Sequence, residues 1–166
     1  MPNKKTDQAD NEAFMRRAIE VARIGMTGGH GGPFGAVIVK NADIVGEGHN
    51  RVVSSHDPTA HAEVTAIRAA AATLGTHDLS GCRIYVNALP CPMCLTAILW
   101  ARIDKLYYAA LPEDAAAIGF DDAAFYEEVR KPTDERNLPT ERIDSLYDEA
   151  KAGLDEWLAK DDRTPY

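Results

Sequence analysis

Two cysteines at C-x-x-C spacing, Cys91-Pro92-Met93-Cys94, can chelate one soft cation, but a pair alone leaves its coordination incomplete. His61, well upstream, is the best-placed third ligand. One imidazole and two thiolates describe a zinc ion with three protein ligands, the arrangement that keeps a position open for water. Glu63 follows in His61-Ala62-Glu63, where a carboxylate can move protons to and from that water. Taken singly, each residue has a plainer reading. The cysteines could be buried thiols, the histidine a satisfied core residue, and the glutamate a first-turn carboxylate on a helix dipole. The joint pattern, each half set behind a proline, favours the metal. Cys82 has no partner at ligand spacing and reads as a buried strand residue.

The positioning elements follow from periodicity and punctuation. Pro58 suits a helix start, so a helix over residues 59–74, closed by Gly75, puts His61 and Glu63 in its opening turn. Pro92 marks a second start, and a helix over 93–101 carries Cys94 in its first turn. Two helix N-termini entering side by side bring the three ligands to one edge, and their positive ends favour thiolates. Ahead of them, Phe14, Ala18, Val21 and Ala22 recur at helical spacing over 10–26. Apolar runs at 36–39 and 44–45 flank a turn-like 40–43, which predicts a hairpin; 83–86 and 105–109 read as two further strands. Short helices over 114–118 and 123–129 come next. A polar loop over 132–139 leads to an apolar helical stripe, Ile143, Leu146, Tyr147, Ala150, Leu154, Trp157 and Leu158. The glycine cluster over 28–35 lacks the Gly-Lys-Ser/Thr of a phosphate loop and precedes a strand, so it reads as a tight backbone path beside a site. Strands alternating with helices imply an α/β layered domain with helices on both sheet faces.

The 166 residues suit one domain over 10–166 behind a flexible tail at 1–9. No run of apolar residues is long enough to span a bilayer, and the polar N-terminus lacks a signal-peptide core, so the expected address is cytoplasmic. Three cysteines argue against a disulfide framework. A net charge of −8 without a basic patch favours a small substrate over nucleic acid or a membrane surface.

These motifs together resemble the cytidine-deaminase-like superfamily. H-x-E followed by P-C-x-x-C is the signature of zinc deaminases acting on nucleobases. Within the superfamily the chain is most similar to the small bacterial guanine deaminases, through residues 31–39, 57–68 and 90–94, Gly119-Phe120-Asp121-Asp122, and a weaker match at Tyr166. The resemblance implies a three-layer α/β/α sandwich around a mixed five-stranded sheet. It also implies one Zn²⁺ per subunit on His61, Cys91 and Cys94, and hydrolysis of guanine to xanthine and ammonia. By position, Glu63 is the catalytic proton carrier, Phe34 stacks on the purine, Asn50 hydrogen-bonds it, and Ala62 offers backbone groups beside the zinc. The resemblance further implies a homodimer in which the segment at about 132–166 crosses to the partner. Asp122 and Tyr166 then complete the neighbour's pocket, with Asp122 as a second proton carrier. In one respect the chain departs from the family pattern: Leu89 stands before Pro90 where a glutamate is usual. Other amine-bearing rings (guanosine, cytosine, adenine, an aminotriazine) therefore stay open as substrates, as does a zinc-stabilised binding module without catalysis.

Overall fold

The computed structural model describes residues 4–165, with side chains from Gln8 onward. It comprises two compact units, one ending at Tyr126 and one beginning at Glu127. The elements run α1 (Lys4–Thr27), β1 (Gly35–Lys40), β2 (Asp43–His49), α2 (Val52–Ser55), α3 (Ala62–Leu74), β3 (Cys82–Ala88), α4 (Pro92–Trp100), β4 (Lys105–Ala110), α5 (Pro112–Ala117), α6 (Ala123–Arg130) and α7 (Tyr147–Ala159).

The sheet has the order β2-β1-β3-β4, with β1 antiparallel to both neighbours and β3 parallel to β4. Side chains alternate across it, as the pleat requires. Val37, Val39 and Tyr85 join Ala18 and Val21 of α1 on one face. Ala36, Ile38, Ile84 and Val86 join Ala62, Ala66 and Ala70 of α3 and Ile98 of α4 on the other. Because β1 is covered on both faces, it reads as an unbroken apolar run. The hairpin turns through Asn41 and Ala42, both at positive φ, which suits a two-residue connection between right-twisted strands.

The approach of α3 to the sheet is set by β2. A Cβ on Gly48 would stand 2.5 Å from the Ala62 carbonyl, and one on Gly46 would stand 2.6 Å from that of Ala66. Bare backbone on this strand lets the helix lie directly upon it. The parallel pair β3 and β4 is joined through α4, so α4 starts just beyond the carboxyl end of β3, where α/β sheets commonly place their ligands.

Four strands, not five, form the sheet among the described residues. Beyond β4 the chain turns helical: Pro112 opens α5, and the Asp114 carboxylate accepts from the Leu111 amide at 2.8 Å to cap it. Helix α1 begins at Lys4, ahead of the expected Asp10. Helix α3 begins only at Ala62, because Asp57 closes a turn of its own, its Oδ1 accepting from the Thr59 amide at 2.8 Å and the Thr59 hydroxyl at 2.6 Å. Helix α2 is an addition to the sequence reading; Asn50 Oδ1 accepts from the Val52 amide at 3.1 Å at its start. Cys82 lies fully buried in β3, as expected.

In the smaller unit, Glu128 gathers Lys131 Nζ at 2.8 Å and Asn137 Nδ2 at 3.0 Å. Two 3₁₀ turns, Thr133–Glu135 and Asp144–Leu146, lead to α7. No residue of α7 is buried, so its apolar stripe is exposed, Leu154 by 71%. None of the described helices is long and apolar enough to cross a membrane.

Candidate metal centre and active site

His61 and Cys91 occupy equivalent positions, each the N-cap of its helix in extended backbone conformation. An N-cap side chain ordinarily accepts from first-turn amides. Neither does so here, which leaves both side chains for another task. Pro92, at the start of α4, removes one amide that would otherwise need a partner. Cys94 follows in the first turn and is fully buried.

The imidazole Nδ1 of His61 lies 3.6 Å from Cys91 Sγ and 3.4 Å from Cys94 Sγ. All three ligand atoms fall within 4.8 Å of one another. Zinc–sulfur bonds of about 2.3 Å and zinc–nitrogen bonds of about 2.0–2.1 Å, opened to a tetrahedral angle, put nitrogen and sulfur about 3.5 Å apart. The two observed separations match that edge, so the residues present fit zinc.

The electrostatics of the bare side chains agree. A hydrogen bond from the Cys94 thiol, helped by one from His61, pulls Cys91 down to about 4 against the penalty of burial. Cys94 is pushed upward as the donor in that pair and by burial. The hydrogen bond with Cys91 also raises His61. A site that draws Cys91 toward its thiolate beside an imidazole at two helix N-termini is prepared for a cation.

Glu63, in the first turn of α3, is 5% exposed. Burial is the main reason its carboxyl is raised above the ordinary range, against a backbone hydrogen bond that favours the anion. A carboxyl raised in this way, beside a metal site, is suited to carry protons. Asp122, just ahead of α6, is half-buried; burial raises it first, then the nearby charge of Cys91 in the same chain.

The glycine loop meets the segment that leads to α6. Phe34, half-buried, meets Phe120 edge to face, ring centroids 4.9 Å apart at 89°. Gly32 lies under both rings: a Cβ there would come within 2.8 Å of Phe120 Cζ and 3.0 Å of the Phe34 ring. Asn50 is buried, and its backbone N–H donates to the Phe34 carbonyl at 3.0 Å. Ala62, the first residue of α3, is fully buried between the ligand His61 and Glu63. Tyr166 lies outside the described residues.

Three side chains around the site went unrecognised in the sequence. Asn87 brackets Phe34, its Oδ1 accepting from the Gly35 amide at 2.8 Å and its Nδ2 donating to the Pro33 carbonyl at 2.9 Å. Phe120 belongs to a recognised segment, but nothing local announces its contact with Phe34. The Tyr126 hydroxyl donates to the Pro90 carbonyl at 2.6 Å. Each of these contacts joins residues far apart in the chain, and periodicity carries no signal for them.

Comparison with known proteins gives a concordant result. Residues 8–110 match the model of the cytidine and deoxycytidylate deaminase zinc-binding region. A guanine deaminase of Bacillus subtilis is 53% identical over 130 residues, covering 78% of this chain and 83% of that protein. A tRNA-specific adenosine deaminase of Aquifex aeolicus is 42% identical over 100 residues, or 60% of this chain and 66% of its own length. Among solved structures, a Bacillus subtilis guanine deaminase superposes with a TM-score of 0.89 at 46% identity, covering 93% of this chain and 98% of that one. A guanine deaminase from Nitrosomonas europaea gives 0.63 at 38% identity over 68% of this chain and 65% of the other.

Proposed function

Since the chain belongs to the cytidine and deoxycytidylate deaminase zinc-binding family, we propose that it hydrolyses guanine to xanthine and ammonia. The observation that carries this reading is the pairing of a tetrahedral His61, Cys91, Cys94 edge with a buried carboxyl at Glu63. The match to a guanine deaminase over most of both chains supports guanine as the ring.

His61, Cys91 and Cys94 would hold the zinc, which when bound would lower the pKa of a water toward neutrality. Glu63 takes up a proton on its carboxylate and returns it to the substrate, and Asp122 serves as the second carrier at the departing amine. The resemblance set Asp122 in the neighbour's pocket; the charge of Cys91 felt at Asp122, together with the hydrogen bond from Tyr126, one turn on, to Pro90 of the same chain, supports a role within its own subunit instead. Phe34 stacks on the planar ring. Asn50, whose Oδ1 already accepts from Val52, offers its amide N–H groups to a ring acceptor. The backbone of Ala62 lines the zinc side.

A homodimer completes the proposal. In it the segment at about 132–166 crosses to the partner, and Tyr166 closes the neighbour's pocket. The exposed apolar stripe of α7 supports this, because a helix surface of that kind ordinarily finds a partner. A cytoplasmic address and a place in purine metabolism go with this reading.

Ammonia release from guanine, guanosine, cytosine, cytidine, adenine and ammeline is the direct test. Guanine should exceed the others in kcat/KM. Preference for another ring would move the substrate and keep the chemistry, and no release from any would leave a zinc-stabilised binding module. Light scattering of the full chain should return twice the monomer mass.

A further inference from the structure

We propose that Tyr126 is a positioning residue, whose hydroxyl couples the helix that follows Asp122 to the turn bearing the zinc ligand Cys91. The amide of Tyr126 donates to the Asp122 carbonyl at 3.2 Å, so the two residues stand one turn apart at the start of α6. Residues so spaced share a helix face. From that face the Tyr126 phenol reaches across 36 residues of sequence to donate to the Pro90 carbonyl at 2.6 Å. Pro90 is fully buried, so this carbonyl has no ready access to water and depends on the bond. The next residue along the chain is Cys91, the N-cap of α4.

One hydrogen bond therefore joins two parts of the site that covalent geometry leaves independent. The ligand turn is held by the sheet through β3, whereas Asp122 arrives on a segment that follows the exposed Gly119 and Phe120. Without a tie, the acid and the metal set could drift apart by the fraction of an ångström that separates a productive proton transfer from an idle one. The inference rests on the reading of Asp122 as the second proton carrier.

The test compares the zinc-loaded full chain, Tyr126→Phe, Asp122→Asn and the double variant. Two quantities are read: kcat and KM for ammonia release from guanine, and the rate of zinc transfer to a chromogenic chelator. Tyr126→Phe should lower kcat about tenfold while leaving KM within about twofold, as expected when an interaction acts on the transition state alone. Zinc transfer should quicken by about threefold to tenfold, the equilibrium weight of one hydrogen bond. In the Asp122→Asn background the further loss of kcat should nearly vanish, because residues acting as a unit are not additive. Additive losses in kcat would overturn the coupling, and so would an unaltered zinc transfer rate with a lowered melting temperature, which marks packing alone. Full activity of Asp122→Asn would remove the acid from the reaction and this inference with it. If the wild type released no ammonia from guanine, the substrate reading would fail; an unchanged zinc transfer rate in Tyr126→Phe would then overturn the inference, and a faster one would sustain the tie.

Discussion

The Sγ of Cys94 and the Nδ1 of His61 stand 3.4 Å apart across 33 residues of sequence. A zinc ion with one ligand on each atom needs nearly that spacing. The fold therefore presents the ligands at a distance set by metal chemistry, and removing one should cost the metal. Cys91→Ser should bring zinc content from about one per chain to near zero and lower the melting temperature, since metal bound only by the native state stabilises it. Metal analysis of the purified variant decides this, and unchanged zinc would discharge Cys91 as a ligand.

Glu63 touches the site without being one of its three ligands. Glu63→Gln should keep the zinc and lower kcat by about 10²–10⁴-fold, the usual weight of a general acid–base group. Full turnover with full zinc would take Glu63 out of the reaction.

Burial raises Glu63, and the direction has a consequence for the zinc-stripped protein. Its folded pKa lies above the unfolded one, so the folded state binds the proton more tightly. That contribution is fully present below the ordinary value of 4.5 and is lost as pH rises through the folded value. Cys91, lowered to about 4, acts in the opposite sense over the window up to its ordinary 9.0. The Glu63 part is isolated by difference: the stability of wild type minus that of Glu63→Gln, from urea unfolding of stripped protein, should fall as pH is raised from about 4.5. A flat difference would mean the carboxyl is not desolvated.

Gly48, with Gly46, lets α3 lie directly on the sheet, and Gly48 faces the end of the helix that carries Glu63 next to His61. Gly48→Ala places a methyl 2.5 Å from the Ala62 carbonyl. The expected cost is about 1–3 kcal/mol, the range for overpacking a well-filled interior. Zinc affinity should weaken as well, because the strained end of α3 carries a ligand. Stability equal to wild type would show that the helix can shift without harm.

Much of the site was legible in local pattern. His61, Glu63, Cys91 and Cys94 announce themselves by type and spacing, and Pro58 and Pro92 punctuate the segments that present them. The four strands of the sheet were each visible as short apolar runs; the fifth, implied only by resemblance, is not among the described residues. Local reading misjudged places where side-chain hydrogen bonds compete with helix propensity. The carboxylate of Asp57 delays α3 to Ala62, and Asn50 meets the amide that opens α2.

Residue types and near spacing thus determined the chemistry on their own, because a soft metal accepts few ligand sets and a helix start tolerates few residues. The distances between ligands, the burial that raises Glu63, and the contacts of Phe120, Asn87 and Tyr126 were decided only by the tertiary structure. Each joins groups dozens of residues apart, held by the packing of α3 and α4 on one sheet, and no periodicity along the chain encodes a separation in space.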